Sequence, residues 1–183
     1  MLAPEIMCPR NSIGIPAPPH PLNCLFVAWN PPIAKAQASD NFWNNPDDNL
    51  RHNLLDILQF QDISEFHQKG FFLVHALKCA TKYSGLLKAN SSLSKLVLGT
   101  CVPRHLRREV EELQAPRLCL LGGIAKQAVA LFCPDVENWT ARPRMGEKKK
   151  ITMPYGKVDC LYTCLPIYRA NVPYTRDHLS HWL

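Results

Sequence analysis

The sequence has no apolar run long enough to cross a membrane and no Cys-x-x-Cys pair. A membrane-spanning helix needs ~20 apolar residues, and no stretch approaches that length. The first ten residues also lack the basic and then apolar pattern of a secretory signal. The eight cysteines form no Cys-x-x-Cys pair, which favours reduced thiols over a disulfide framework. We therefore expect a soluble, cytoplasmic protein with no membrane partner.

The composition is that of an ordinary globular protein. Its 183 residues are 46% hydrophobic and carry a formal charge of +6, which suits one domain with a real core. A mild positive excess is compatible with a polyanionic partner and does not require one. The proline-rich segment 15–21 predicts an extended arm, because proline disfavours helix in the residue before it. We place the arm at 1–22 and a single domain at 23–183.

Short apolar runs alternate with helical patterns along the chain. Strands are predicted at 23–28, 71–77, 117–121 and 158–165, and helices at 50–60, 103–114 and 124–132. Lys148, Lys149 and Lys150 are interpreted as a turn or solvated charge run before a short strand around Ile151. The tail predicts a short helix near 177–182, and 81–100 remains undecided. This alternation predicts a three-layer α/β/α sandwich around a mostly parallel sheet of four to five strands.

Ligands of such sheets bind beyond the carboxyl ends of the strands. Asn30, His75, Gly122 and Pro166 each follow or close a predicted strand. The sequence therefore predicts one site that contains these four positions.

The residues at those strand ends carry a family resemblance. Phe-Val-Ala-Trp-Asn-Pro at 26–31 resembles the first catalytic motif of the mismatch-specific and single-strand-selective branches of the uracil-DNA glycosylase superfamily. The core of that motif is Gly-x-Asn-Pro-Gly, and Ala28 and Pro32 stand here in place of its glycines. Segments 74–79 and 120–125 are similar to the iron–sulfur branch. Together the motifs run from about Cys24 to the C-terminus.

The resemblance implies that Asn30 positions the attacking water and that Ala28 and Trp29 line the base pocket. The alternative for Asn30 is a plain strand-terminating turn, a common use of Asn-Pro sequences. An aromatic ring that stacks on the extruded base is expected at Phe42, with Trp43 as second choice. The alternative is that both rings anchor a polar loop to the core.

The other motifs depart from the family pattern. His75 stands where the iron–sulfur branch reads uracil with an asparagine, which matches a donor and an acceptor at once. A neutral histidine cannot present both to adjacent atoms of one base edge, so His75 points to another deaminated base, to weaker activity or to a structural role. Leu165 replaces the histidine that stabilises the departing base.

Four further residues are expected to contact DNA. Gly122 and Gly123 would let a phosphate approach backbone N–H groups at a helix N-terminus, or would only permit tight strand–helix packing. Tyr168 and Arg169 lie in the loop that resembles a degraded His-Pro-Ser-Pro-Arg motif and would flank the flipped nucleotide.

The iron–sulfur branch also implies a [4Fe–4S] cluster held by four thiolates. Cys79 and Cys101 match the downstream ligand pair, but the closely spaced upstream pair is missing, since only Cys8 precedes the first strand. We therefore expect no cofactor, with Cys79 and Cys101 as an incomplete metal-ligand set.

The sequence leads to a DNA N-glycosylase of the uracil-DNA glycosylase type, a monomer that removes a deaminated base in base excision repair. A non-catalytic nucleic-acid-binding relative is the alternative. A hydrolase of free nucleosides or nucleotides is a third interpretation, supported only by the modest charge.

Overall fold

The computed structural model describes residues 15–29, 42–77, 92–140 and 142–183. The strands are β1 (Cys24–Ala28), β2 (Phe71–His75), β3 (Arg117–Leu121), β4 (Glu147–Met153) and β5 (Gly156–Thr163). The helices are α1 (Asn49–Leu58), α2 (Ile63–Gln68), α3 (Ser92–Cys101), α4 (Arg107–Leu113), α5 (Gly123–Ala130), α6 (Pro134–Glu137) and α7 (Val172–Ser180). A π-helical turn (Val102–Leu106) joins α3 to α4, and 3-10 turns (Pro143–Met145 and Arg169–Asn171) precede β4 and α7.

The strands form one sheet in the order β2-β1-β3-β5-β4. β1, β2, β3 and β5 are parallel, and only β4 runs antiparallel, at the edge beside β5. All five residues of β1 are buried, as are the last four of β2 and of β3. Continuous apolar strands of this kind belong to a sheet covered on both faces. The predicted α/β fold with a mostly parallel sheet is confirmed.

The order of the strands explains the two helical layers. The chain moves one way along the sheet from β1 to β2, and the other way from β2 to β3 and from β3 to β5. Because parallel crossovers are right-handed, α1 and α2 cover one face, and α3 to α6 cover the other. α7 contacts both α1 and β5, so it lies on the face of α1. We call this the α7 face.

Two predicted segments differ from the structure. Lys148, Lys149 and Lys150 lie within β4 rather than in a turn. All three are exposed, as the alternative of a solvated charge run predicts. A run of three charged residues lacks the apolar alternation that marks a half-buried strand. The last helix, predicted near 177–182, begins at Val172, since Pro173 occupies a first-turn position where proline is tolerated.

The remaining features concern the arm and the thiols. Residues 15–22 contain no helix or strand, and the Ala17 carbonyl oxygen lies 2.7 Å from Nε2 of His67. Cys119, Cys160 and Cys164 are buried. Within the described part of the chain, no helix has the length and apolar character of a membrane span.

Candidate functional site

The candidate site lies where the chain direction reverses between β1 and β3. α1 and α2, which follow β1 in the chain, lie on the α7 face, and α5, which follows β3, lies on the opposite face. Such a topological switch point opens a crevice at the carboxyl ends of the two strands, and ligands of open α/β sheets bind there. Ala28 ends β1 and Leu121 ends β3. The predicted site residues at these ends therefore share one edge of the sheet.

The first wall of the crevice is the end of β1 with its neighbour β2. Ala28 pairs with His75, and the pairing continues past both strands, because Ala76 N and Leu77 N donate to the Ala28 and Trp29 carbonyls over 2.8 and 2.9 Å. His75 is 8% exposed. Trp29 is partly buried, and its buried Nε1 meets no acceptor among the described residues. A buried N–H without a partner is costly, so Trp29 keeps one donor unused at this edge.

Gly122 and Gly123 form the second wall. Gly122 has φ 87° and ψ 171°, a combination that is essentially restricted to glycine. Its N–H donates to the Thr163 carbonyl over 2.8 Å, and its carbonyl accepts from Lys126 N at the start of α5. No side chain caps this helix, so its first-turn N–H groups face the edge of the sheet with the positive end of the helix dipole.

The loop after β5 lies beside Gly122 and is held by three side chains. Asn171 Nδ2 donates to the Leu165 carbonyl over 2.9 Å, and Thr175 Oγ1 donates to the Cys164 carbonyl over 3.1 Å. Asn53, on α1, donates to the Pro166 carbonyl over 2.5 Å. Sequence reasoning missed these donors, because each acts on a backbone carbonyl that no sequence pattern records.

Leu165 lies directly against Gly122. A Cβ added to Gly122 would lie 3.1 Å from the Leu165 Cβ. The structure therefore brings together the motif at 120–125 and the loop at 165–171, and the contact between them is apolar.

Tyr162 is a further residue that sequence reasoning missed. It is 3% exposed, and its hydroxyl lies 3.9 Å from the position that a Cβ on Gly123 would take. Burial raises the pKa of Tyr162 to about 12, with smaller contributions from Cys164 and Glu147. The phenol is therefore a neutral hydroxyl at physiological pH, beside the first turn of α5.

Phe42 and Trp43 are held in the core. Phe42 is 0% exposed, and its ring centroid lies 5.2 Å from that of Trp43 and 5.5 Å from that of Phe66. Trp43 is 7% exposed and donates from Nε1 to the Leu73 carbonyl over 3.2 Å. A stacking platform needs an open ring face. The burial of both rings favours the interpretation that Phe42 and Trp43 are core anchors.

Two of the predicted DNA contacts lie on the surface. Tyr168 is 65% exposed and Arg169 is also exposed, so both are accessible in the loop that leads to α7. Asn30 and Cys79 lie outside the described residues.

Cys101 lies at the end of α3, where burial raises the pKa of its thiol although Arg104 opposes the shift. Within the described ranges, no group of three or more His, Cys, Asp or Glu side chains is arranged to hold a metal ion. Of the predicted pair Cys79 and Cys101, only Cys101 lies within the described residues.

A scan against protein-family models and a search of the curated proteins each return no match to this chain.

Proposed function

We propose that this protein is a DNA N-glycosylase of the uracil-DNA glycosylase type, acting as a cytoplasmic monomer on DNA. One observation carries the proposal: Ala28-Trp29, His75, Gly122-Gly123 and Leu165-Pro166 meet at the switch point of the sheet. These are the segments whose sequences resemble that superfamily, and they are far apart in the chain. Their proximity in the fold supports one site formed by all four segments.

The reaction would replace the N-glycosidic bond with a bond to water. Water oxygen attacks C1′ of the deoxyribose while the bond from C1′ to the base nitrogen breaks, so the base leaves with the electron pair. One water proton is released and the base takes up a proton, which yields an abasic sugar and a free base. In this proposal, Asn30 orients the water through its side-chain amide.

The described residues would hold the extruded nucleotide. Trp29 would offer its Nε1–H, which has no acceptor among the described residues, and His75 would contact the base from the paired strand end. The first-turn N–H groups beyond Gly123 would receive a phosphate, and Tyr168 and Arg169 would contact the strand around the gap. The proposal does not use Phe42, whose ring is enclosed by the core.

A panel of oligonucleotides tests this function. Strands that carry uracil, hypoxanthine, xanthine or a thymine mismatch are incubated with the protein, single- and double-stranded, and then cleaved with alkali at abasic sites. We expect cleavage on at least one deaminated substrate and much less release from the free nucleoside. Comparable release from free nucleoside would favour a nucleoside hydrolase, and the absence of cleavage on every strand would contradict the proposal.

The apolar contact between Leu165 and Gly122 favours one alternative. Charge that develops on a departing base is stabilised by hydrogen-bond donors or cations, and the Leu165 side chain provides neither. A relative that binds DNA without chemistry would have this arrangement. It would show salt-dependent DNA binding and no abasic sites anywhere in the panel.

A further inference from the structure

A row of ring side chains follows one side of α7, away from the candidate site. Tyr174 and His178 are four residues apart, and Trp182 follows after four more, in the turn beyond the helix. Residues at this spacing lie above one another on a helix. Tyr174 is 40% exposed, and His178 and Trp182 are partly buried.

Basic side chains accompany this row. Lys148 and Lys150 are paired with Leu161 and Asp159 of β5. They share a sheet face with Thr163, because alternate residues of a strand point the same way. Thr163 Oγ1 lies 2.6 Å from Nδ1 of His178, so this is the α7 face. Lys148 and Lys150 therefore stand beside α7.

The two ends of the row are also basic. The Arg144 guanidinium lies 5.4 Å from the centre of the Tyr174 ring. At the other end, a cleft of about 340 Å³ is lined by Trp182 and by five charged residues: Arg117, Lys148, Lys149, Lys150 and Asp159. Lys149 directs its Nζ to the opposite sheet face, 5.6 Å from the centre of the Trp139 ring. Arg117, Lys148 and Lys150 therefore stand against one carboxylate, and the cleft has a net positive charge.

Ion pairs within the protein neutralise only a small part of this positive charge. Lys150 Nζ lies 3.7 Å from Asp159 Oδ1, with side chains 74% and 49% exposed, which makes a weak pair. Lys149 Nζ lies 2.5 Å from Glu147 Oε1, so this lysine is paired. Within the described ranges, Lys148 and Arg117 have no ion-pair partner.

We propose that this groove between α7 and β4, the α7 track, binds a single strand of nucleic acid. Its cations would lie along the phosphates, and the exposed parts of Tyr174 and Trp182 would stack against bases. Cationic grooves with interspersed aromatic rings are the usual design of single-strand binding surfaces. The track begins at the turn after Tyr168 and Arg169 and ends near the amino end of β3. It would therefore hold strand well beyond the candidate site.

The lysines of β4 could instead serve to keep the edge of the sheet unpaired. Lysines on an edge strand prevent unwanted pairing with a second sheet, and β4 is an edge strand. That role requires no ring partner on α7. It predicts that lysine removal causes self-association and leaves nucleic-acid affinity unchanged.

The first test removes the two track lysines. Binding of a fluorescent oligothymidylate of ~15 nucleotides is followed by anisotropy over a range of salt concentrations. For a single strand, each phosphate contact contributes about 0.7 to the slope of log K against log salt. Lys148→Thr/Lys150→Thr should lower that slope by about 1.4 and weaken binding about 25-fold at ~0.1 M salt.

A matched control removes the same charge from the other face. Arg107 and Arg108 lie on α4, with side chains 51% and 69% exposed. Arg107→Gln/Arg108→Gln should leave affinity and salt slope close to those of the unmodified protein. An equal loss in this control would show that only net charge matters and would overturn the proposal.

A ring variant tests the track without removing charge. Tyr174→Ser should weaken binding at least about fivefold, since stacking contributes ~1–3 kcal/mol per base, whereas Tyr174→Phe should bind like the unmodified protein. Three results would overturn the proposal: unchanged binding in both the lysine and Tyr174→Ser variants, self-association of the lysine variant with full affinity, or equal displacement of the probe by polyglutamate. Asn30→Ala should retain this binding, so failure of the track and failure of the glycosylase proposal are distinguishable.

Discussion

Replacement of Gly122 by alanine should destabilise the protein through two additive causes. The backbone at Gly122, with φ 87° and ψ 171°, lies in a region that costs other residues about 1–3 kcal/mol. The new Cβ would also lie 3.1 Å from the Leu165 Cβ, and such overpacking typically costs about 1–3 kcal/mol. The two sum to roughly 2–6 kcal/mol in the free energy of unfolding.

Gly123→Ala is the matched control at the next position. Gly123 is not among the residues with positive φ, and the atom nearest to its added Cβ would be the Tyr162 hydroxyl at 3.9 Å, an ordinary contact. Alanine should therefore change stability by no more than ~1 kcal/mol, in the stabilising direction. Any loss of DNA binding by Gly123→Ala would then reflect the methyl group at the surface where a phosphate is proposed to bind.

The assay is urea denaturation of both variants and the unmodified protein, with thermal unfolding as a second measure. In a chain of this size, 1 kcal/mol shifts Tm by about 2–4 °C, so Gly122→Ala should lower Tm by at least about 4 °C. Equal stability of the two variants would refute the argument from backbone conformation and contact.

Two further predictions concern stability. Phe42→Ala should cost about 3–5 kcal/mol in urea denaturation because it empties a fully buried aromatic position, and a cost below about 1 kcal/mol would contradict the anchor role. Burial lowers the pKa of His178, as does Lys148 to a smaller extent, while Asp177 acts in the opposite sense. Because the unfolded state then takes up the proton more readily, the contribution of His178 should be fully present above the unfolded pKa of about 6.5 and lost as pH falls through the lowered value. His178→Gln should flatten the pH dependence of unfolding in that range, and an unchanged profile would count against this cause.

The parallel strands could be predicted because their burial is local in sequence. After Arg117, the run at 117–121 is apolar at every position, and a glycine pair follows it. The structure has a strand at Arg117–Leu121. α2 was missed, although Asp62 caps it by accepting from Glu65 N over 2.8 Å. An Asp-x-x-Glu pattern before a helix is a readable signal, but six residues are too few for a hydrophobic period to show.

The site could be predicted only in part, for a physical reason. The positions of His75 and Gly122 follow from strand ends, which the sequence marks with glycine and polar residues. The donors Asn53 and Thr175 hold backbone carbonyls of the loop after β5, and nothing in their local sequence distinguishes them from surface polar residues. The burial of Phe42 depends on Phe66, whose helix had not been predicted.

In the proposed reaction, Asn30 orients the water that releases the base. The most direct test is single-turnover release of the deaminated base that the oligonucleotide panel identifies, with Asn30→Ala compared with Asn138→Ala, an exposed position after α6. We predict that Asn30→Ala loses at least about 100-fold in rate, the scale of a lost positioning group, with oligonucleotide affinity retained, and that Asn138→Ala keeps the full rate. Full activity of Asn30→Ala would contradict the account.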